Sequence, residues 1–274
     1  MKIKNKMRHC KIVIAFVFFF VIQNIYSQDM RINYDMIYKE DSLSTETVAK
    51  KMVLLVQNGE SKFYPEKQYE VDSLRASGFK GFAVGDHDFY VIKNKQNTGS
   101  KYYFLLRDVY RITEPVKLNW KIQKETAKKY GYTCQKATVD YKGRKWEAWF
   151  TQEIPVQEGP YIFKGLPGLI VYMKDAAGSY EFSFTALKKN FYKMELENIS
   201  PKPLDISLAN LKKVFIDYYN DPFREMKSGN VKAKFKDEKG NDVEPDFKEM
   251  TKNLQNSLRK NNNPIELSEA IKYP

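Results

Sequence analysis

The chain has 274 residues and carries 46 Lys and Arg against 34 Asp and Glu, a formal charge of +12. It has two cysteines and two histidines, which excludes a disulfide-stapled scaffold and any metal site built from several histidines. Aromatic residues make up 15% of the sequence, so their placement is the main question.

Residues 1–27 read as a signal peptide. Lys2, Lys4, Lys6, Arg8 and Lys11 form a basic start, and Ile12 to Ile22 is an apolar run of eleven residues. Eleven residues are too few to span a bilayer as a helix, and Ser27 is a small residue at the expected cut. The remainder, 28–274, is 247 residues with a net charge of +7 once the five leader cations are gone. That length suits one domain with a sizeable core. It retains one cysteine, Cys134, and one histidine, His87. Cys10 precedes the apolar run and so is not placed for lipidation at a new N-terminus. The basic excess is dispersed among acids and aromatics and reads as a solvated surface.

In chain order, Met30 to Tyr38 alternates like a strand, and Asp41 to Lys51 is a polar loop. Met52 to Val56, the turn Gln57-Asn58-Gly59-Glu60, and Ser61 to Tyr64 make a hairpin. Glu66 to Ala76 suits a short surface helix, and Phe79 to Gly85 is glycine-rich. Phe89 to Lys93 is a strand, and Asn94 to Gly99 is a turn. Lys101 to Arg111 reads as one strong strand, and Leu118 to Ile122 as the next. Thr133 to Tyr141 and Lys145 to Thr151 pair across Lys142-Gly143, with Trp146, Ala148 and Phe150 on one face. Gly165-Leu166-Pro167-Gly168 predicts a type II turn with Gly168 at positive φ. Leu169 to Met173 and Tyr180 to Thr185 form the next hairpin. Asp205 or Ser207 caps a helix to about Asn220, ended by Asp221-Pro222. Val231 to Phe235 is a further strand, and Pro245 to Leu258 a last helix. The tail after Asn261 packs by Ile265 and Leu267.

The expected fold is α+β and mostly β: a strongly curved antiparallel sheet, half-open and barrel-like, with a few mainly C-terminal helices. The layout resembles that of periplasmic lipoprotein carriers.

The stretch around Gly165-Leu166-Pro167-Gly168-Leu169-Ile170 resembles the defining motif of the GLPGLI family, secreted proteins of Bacteroidota-type bacteria. Trp120-Lys121-Ile122 and Gly131 to Ala137 resemble its lead-in. Tyr141-Lys142-Gly143-Arg144, Ala148 to Thr151, Glu153 to Val156 and Gly159-Pro160 resemble its middle. Asn263-Pro264-Ile265-Glu266-Leu267 resembles its closing motif. Tyr161 stands where the family more often has Trp. The resemblance is strong over about 120–187. It implies a secreted β-rich protein and no reaction, hence no catalytic residues and no cofactor. Asp41-Ser42-Leu43 and Asp72-Ser73-Leu74 fit a pattern for O-glycosylation in this bacterial group, and both are read as surface loops.

Asp86-His87-Asp88 is the most reactive-looking triplet. Neighbouring residues on an extended chain point to opposite faces, so three in a row do not converge on a metal, and a polar turn is the preferred reading. Cys134 needs a base or a positive neighbour to act as a nucleophile, and a buried structural thiol is preferred. The aromatic residues lie mainly in or beside strands. Trp120, Trp146, Trp149, Tyr161, Phe163, Tyr180 and Phe182 are the candidate face for an apolar or amphipathic ligand.

The leading function is a non-enzymatic envelope or secreted protein that binds a lipid, acyl chain or peptide. The alternative is a structural or adaptor protein docking to an outer-membrane partner. A hydrolase using Asp86, His87 or Cys134 is a minor third. An exported chain argues against nucleic acid, and no integral membrane segment is expected after cleavage. The protein is expected in the periplasm or secreted.

Overall fold

The computed structural model describes residues 29–81, 85–189, 191, 194–236 and 239–274. The expected signal peptide, residues 1–27, and part of the glycine-rich stretch lie outside these residues. The first half comprises β1 (Met30–Tyr38), β2 (Val48–Gln57), β3 (Glu60–Pro65), α1 (Glu66–Ala76), β4 (Tyr90–Lys93), β5 (Thr98–Leu105) and β6 (Asp108–Pro115). Next come β7 (Lys121–Lys129), β8 (Tyr132–Tyr141), β9 (Arg144–Thr151), β10 (Leu169–Asp175) and β11 (Tyr180–Lys188). The last part holds β12 (Leu204–Asp205), α2 (Leu208–Asn220), α3 (Arg224–Lys227), β13 (Phe235–Lys236), β14 (Asp242–Val243) and α4 (Phe247–Lys260). A 3₁₀ turn, Leu267–Glu269, closes the chain.

Twelve strands form one sheet in the order β12-β6-β5-β4-β3-β2-β1-β11-β10-β9-β8-β7. All pairs are antiparallel except β12 with β6. Two sequential meanders are thus joined where β11 pairs with β1, from Arg31↔Lys188 to Tyr38↔Tyr180. Only five residues, 116–120, link β6 near one edge to β7 at the other. Five residues reach about 20 Å at most, so the sheet must curl until its edges nearly meet. The result is a curved, half-open sheet that does not close into a barrel.

The interior is filled by the sheet's own inner face and by the loop between β9 and β10. Met36, Met52, Leu54, Phe63, Trp146, Ala148, Phe150 and Phe182 meet Tyr161, Phe163, Leu166 and Leu169 of the loop and its exit. Lys93 Nζ holds this loop from the opposite wall. It lies 2.7 Å from Glu158 Oε2 and donates to the Gly159 carbonyl at 2.8 Å. A second cluster, Val53, Leu55, Tyr64, Tyr90, Ile92 and Tyr102, lies on the outer face under Tyr69 of α1 and Leu196.

Several local expectations differ from the structure. Lys101 to Arg111 is not one strand. It folds into the β5–β6 hairpin, in which Leu105 pairs with Asp108. The turn contains no Gly or Asn; Leu106 itself takes φ +56° and is exposed, so no turn signal marks it. Leu118 and Trp120 belong to the linker, and the strand starts at Lys121. That strand, β7, is an edge rich in lysine and largely exposed, so it lacks the apolar alternation of a half-buried strand. Around Pro167 the Gly168 amide donates to the Leu166 carbonyl at 2.7 Å. This is a three-residue γ-turn, not a type II turn. Gly168 does take positive φ, +147°. Val231 to Phe235 forms no strand of its own length; only Phe235–Lys236 pairs, with Asp242–Val243. In the tail Ile265 is buried and Leu267 is exposed. Ser42 sits in an exposed loop, whereas Ser73 lies within α1, where Asp72 is bonded to Lys62 and Gln68.

Candidate functional site

A cavity of about 400 Å³ lies between the sheet and the C-terminal elements. Its sheet side presents Tyr38, Phe89, Tyr103, Phe104, Tyr161 and Tyr180. Tyr38 and Tyr180 pair across β1 and β11, and their rings stack at 5.8 Å. Phe89 meets both edge-on, at 5.2 and 6.4 Å. The opposite side is mainly aliphatic: Leu208 and Leu211 of α2, Leu258 of α4, Ile265 and Ile271, with one aromatic ring, Phe215. Helical spacing brings Leu208, Leu211 and Phe215 to one face of α2, whose start is capped by Ser207 Oγ accepting from Asn210 N.

Neither α2 nor α4 contributes a side chain to the two hydrophobic clusters among the described residues. Their apolar faces meet each other and the cavity. A helix face of this kind normally buries itself against a sheet; here an aromatic wall faces it across a gap.

The third wall is the C-terminal segment 263–269. Its Asn263 amide donates to the Glu40 carbonyl at 3.1 Å and its Ser268 amide to the Lys142 carbonyl at 2.9 Å. Arg144 donates to the carbonyls of Pro264, at 2.8 Å, and Ile265, at 3.1 Å, and to Asn263 Oδ1. Tyr180 Oη donates to the Asn263 carbonyl at 2.6 Å. Glu266 accepts from Tyr141 Oη at 3.0 Å and from Tyr161 Oη at 3.1 Å, and pairs with Lys101. Glu269 pairs with Lys142 and, at 3.2 Å, with Lys101. The segment therefore straps β5 to the β8–β9 hairpin across the open seam of the sheet.

Glu114, Glu266 and Glu269 bring carboxylate oxygens within 4.8 Å of one another. Two ammonium groups already sit among them: Lys101 Nζ lies 2.9 Å from Glu114 Oε1, and Lys142 Nζ 3.1 Å from Glu114 Oε2. Two ammonium groups shared among three carboxylates give the cluster the geometry of an ion-pair network. Burial pushes Glu266 up to about 7. Glu269 is held at about 2: burial opposes this, and the hydrogen bonds from Glu266 and Lys142 outweigh it.

The seven aromatic candidates are dispersed. Tyr161 and Tyr180 border the cavity. Trp146, Phe163 and Phe182 are enclosed in the inner core. Trp120 packs at its margin and donates Nε1 to the Lys164 carbonyl at 2.9 Å. Trp149 is buried but its ring lies beneath Lys129 and Lys136, with Nε1 donating to Glu147 at 3.0 Å. Of the turn residues, Leu166 is buried and Gly165 takes φ +92°. Sequence reasoning missed Tyr38, Phe89 and the helix α2 face as cavity residues. The signal was present in the apolar stripe of α2, which had no assigned partner.

Asp86, His87 and Asp88 do not converge. Lys50 Nζ pairs with Asp86 at 2.9 Å and also with Asp88, while the His87 ring tilts onto Phe104 at 4.3 Å. Burial lowers the His87 pKa below its ordinary value. Cys134 lies inside β8, its thiol pushed up by burial and directed at the carbonyls of Lys129 and Tyr132. Lys136 is occupied by Glu125 and Glu147, and Arg144 by Asp175 and the strap, so neither activates it.

No curated protein matches the chain. Among solved structures, PNGF-II in a P21 crystal form is similar over 69% of this chain and 33% of its own, with 18% identity and a TM-score of 0.50. The C2 form aligns with 68% of this chain and 32% of its own, at 19% identity and a TM-score of 0.49. The chain thus spans about a third of PNGF-II, and the likeness is one of fold. NE2245, a LolA-superfamily protein of Nitrosomonas europaea, aligns with 61% of this chain and 89% of its own, at 8% identity and a TM-score of 0.28. No helix among the described residues is long and apolar enough to cross a membrane. Residues 140–172, which hold Tyr141, Arg144 and the turn around Pro167, match a family model described as a protein of unknown function (Porph_ging).

Proposed function

We propose that this is an exported, non-enzymatic protein of the cell envelope that holds an apolar or amphipathic ligand in the cavity between the sheet and the helices α2 and α4. The observation that carries the reading is the gap itself. An aromatic wall faces the apolar side of α2 across about 400 Å³, and neither helix joins a core cluster. This volume falls in the range of small-molecule sites, roughly 300–1,000 Å³. The inner core supplies partners for most of its tyrosine and tryptophan polar atoms, so the reading rests on the gap and not on unpaired hydroxyls.

Each methylene buried contributes about 0.8 kcal/mol, before the costs of association and ordering are subtracted. A medium acyl chain therefore suffices without a charged contact. The rim offers Asn261 and Lys212 to a polar head.

The test begins with native purification, solvent extraction and mass spectrometry of the extract. The stripped protein is then titrated with a fluorescent fatty acid. Phe215→Asp places a charge on the cavity side of α2 without touching either core cluster. It should weaken probe binding at least tenfold and leave the melting curve nearly unchanged. Absence of both extractable ligand and saturable binding would move the adaptor reading to first place. Intact-mass measurement of the exported protein should show residues 1–27 removed; a mass that includes Met1 would defeat the export reading.

A further inference from the structure

Residues 263–269 do two jobs at once. They form a wall of the cavity, through Pro264, Ile265, Glu266 and Glu269, and they staple the seam between β5 and the β8–β9 hairpin. Any ligand that passes this wall must displace them. Their attachment is polar and buried, with Arg144 holding Asn263 to Ile265 and the carboxyl of Glu266, 4% exposed, anchoring the rest.

The charges around that carboxyl do not balance if it is ionised. Lys101 and Tyr103 face it from β5, Glu114 from β6, Tyr141 from the end of β8, Lys142 from the following turn, Tyr161 from the loop, and Glu269 from its own 3₁₀ turn. Lys101 pairs with Glu114, Glu266 and Glu269, and Lys142 with Glu114 and Glu269, so two ammonium groups are shared among three carboxylates. A third carboxylate leaves one negative charge enclosed, next to a like charge, which favours retaining one proton on the pair.

We infer that the 263–269 strap is a proton-controlled gate on the cavity, seated when the Glu266–Glu269 pair holds one proton and released when that proton is lost. As a gate for ligand the inference rests on the proposed function; the movement of the strap does not. A neutral Glu266 shares its proton with Glu269 while accepting from Tyr141 and Tyr161. The ionised form gives up the first bond and adds repulsion.

The direction follows from linkage. Seated, Glu266 keeps its proton up to about 7, whereas a solvated glutamate loses it near ~4.3. Release therefore becomes easier as pH rises through that interval, by about tenfold per pH unit at most, and levels off above it. Glu269, held at about 2 when seated, works the opposite way, but only at lower pH. Near neutral pH the Glu266 effect alone remains.

Hydrogen exchange of the full exported chain from pH 5.5 to 8, expressed as protection relative to intrinsic exchange, reads the strap without any ligand. Peptides covering 261–274 should lose protection as pH rises to about 7, while peptides from β1 and β11 keep theirs. Glu266→Gln retains the donor and acceptors but cannot ionise, so its strap should stay protected across the range. If that variant is unprotected at every pH, Glu269→Gln decides. Removing the like charge should move the midpoint to lower pH, and an unmoved midpoint overturns the gate. Flat protection in the wild type, or the same slope in Glu266→Gln, also overturns it. A strap that switches in a protein that binds no fatty-acid probe would defeat the proposed ligand and leave the gate standing.

Discussion

Arg144, at the start of β9, and Asp175, at the end of β10, form an enclosed ion pair, Nη1 to Oδ2 at 2.8 Å, with 3% and 1% of each side chain exposed. The other carboxylate oxygen of Asp175 accepts from the amides of Ser179 and Tyr180, at 2.7 and 2.8 Å, and so shapes the β10–β11 turn. The remaining guanidinium donors hold the strap. One side chain thus couples two hairpins to the C-terminus. Arg144→Ala should cost about 3–5 kcal/mol in urea denaturation, because Asp175 is left buried without its partner. Arg144→Lys should also destabilise, since an ammonium cannot reproduce the fork of donors. Wild-type stability in Arg144→Lys would show that the fork is not what holds these elements together.

Gly165 and Gly168 both take positive φ, but their surroundings differ. A Cβ on Gly168 would lie 2.0 Å from the Thr151 carbonyl oxygen, whereas one on Gly165 meets nothing within 4 Å. Gly165→Ala should cost roughly 1 kcal/mol from backbone strain alone. Gly168→Ala should cost clearly more, roughly 2–3 kcal/mol, because backbone must move. Equal costs in denaturant melts would mean that the loop absorbs the clash.

Lys93 is fully buried and burial lowers its pKa, with Glu158 opposing that shift. Ser61 Oγ also donates to Glu158 Oε2 at 3.0 Å. Lys93→Met strands a buried carboxylate and should cost about 3–5 kcal/mol. The double variant Lys93→Met/Glu158→Leu should recover much of that loss. A double-mutant cycle with a coupling below about 0.5 kcal/mol would show the pair to be inessential to the loop.

Cys134→Ser should leave probe binding unchanged and lower stability by about 1–2 kcal/mol, the cost of a buried hydroxyl with poor partners. The native thiol should react with a disulfide reagent only as fast as the protein opens, since burial raises its pKa. Rapid labelling at neutral pH would contradict a structural role.

What the sequence by itself determined is local and periodic. Alternation placed β1 and β11, apolar runs placed β10 and the second half of β2, and the Lys142-Gly143 turn placed the β8–β9 hairpin. Val48 to Lys51, which read as loop, belong to β2, and of the two candidate caps Ser207 starts α2. These signals work because a strand with one buried face alternates, one buried on both faces, such as β2 beyond Met52, reads as a continuous apolar run, and each helix start needs acceptors for its free amides. Tertiary structure decided which aromatic face is core. Trp146 and Phe182 read like ligand contacts in sequence, yet the 158–168 loop folds back and covers them, held by Lys93 from the opposite wall. The β5–β6 turn stayed hidden because Leu106 adopts a conformation its residue type disfavours. The strap was hidden for a different reason. Tyr141, Arg144 and Glu266 acquire their roles only when a curled sheet brings its two edges within reach of one segment, a distance in space that no sequence spacing encodes.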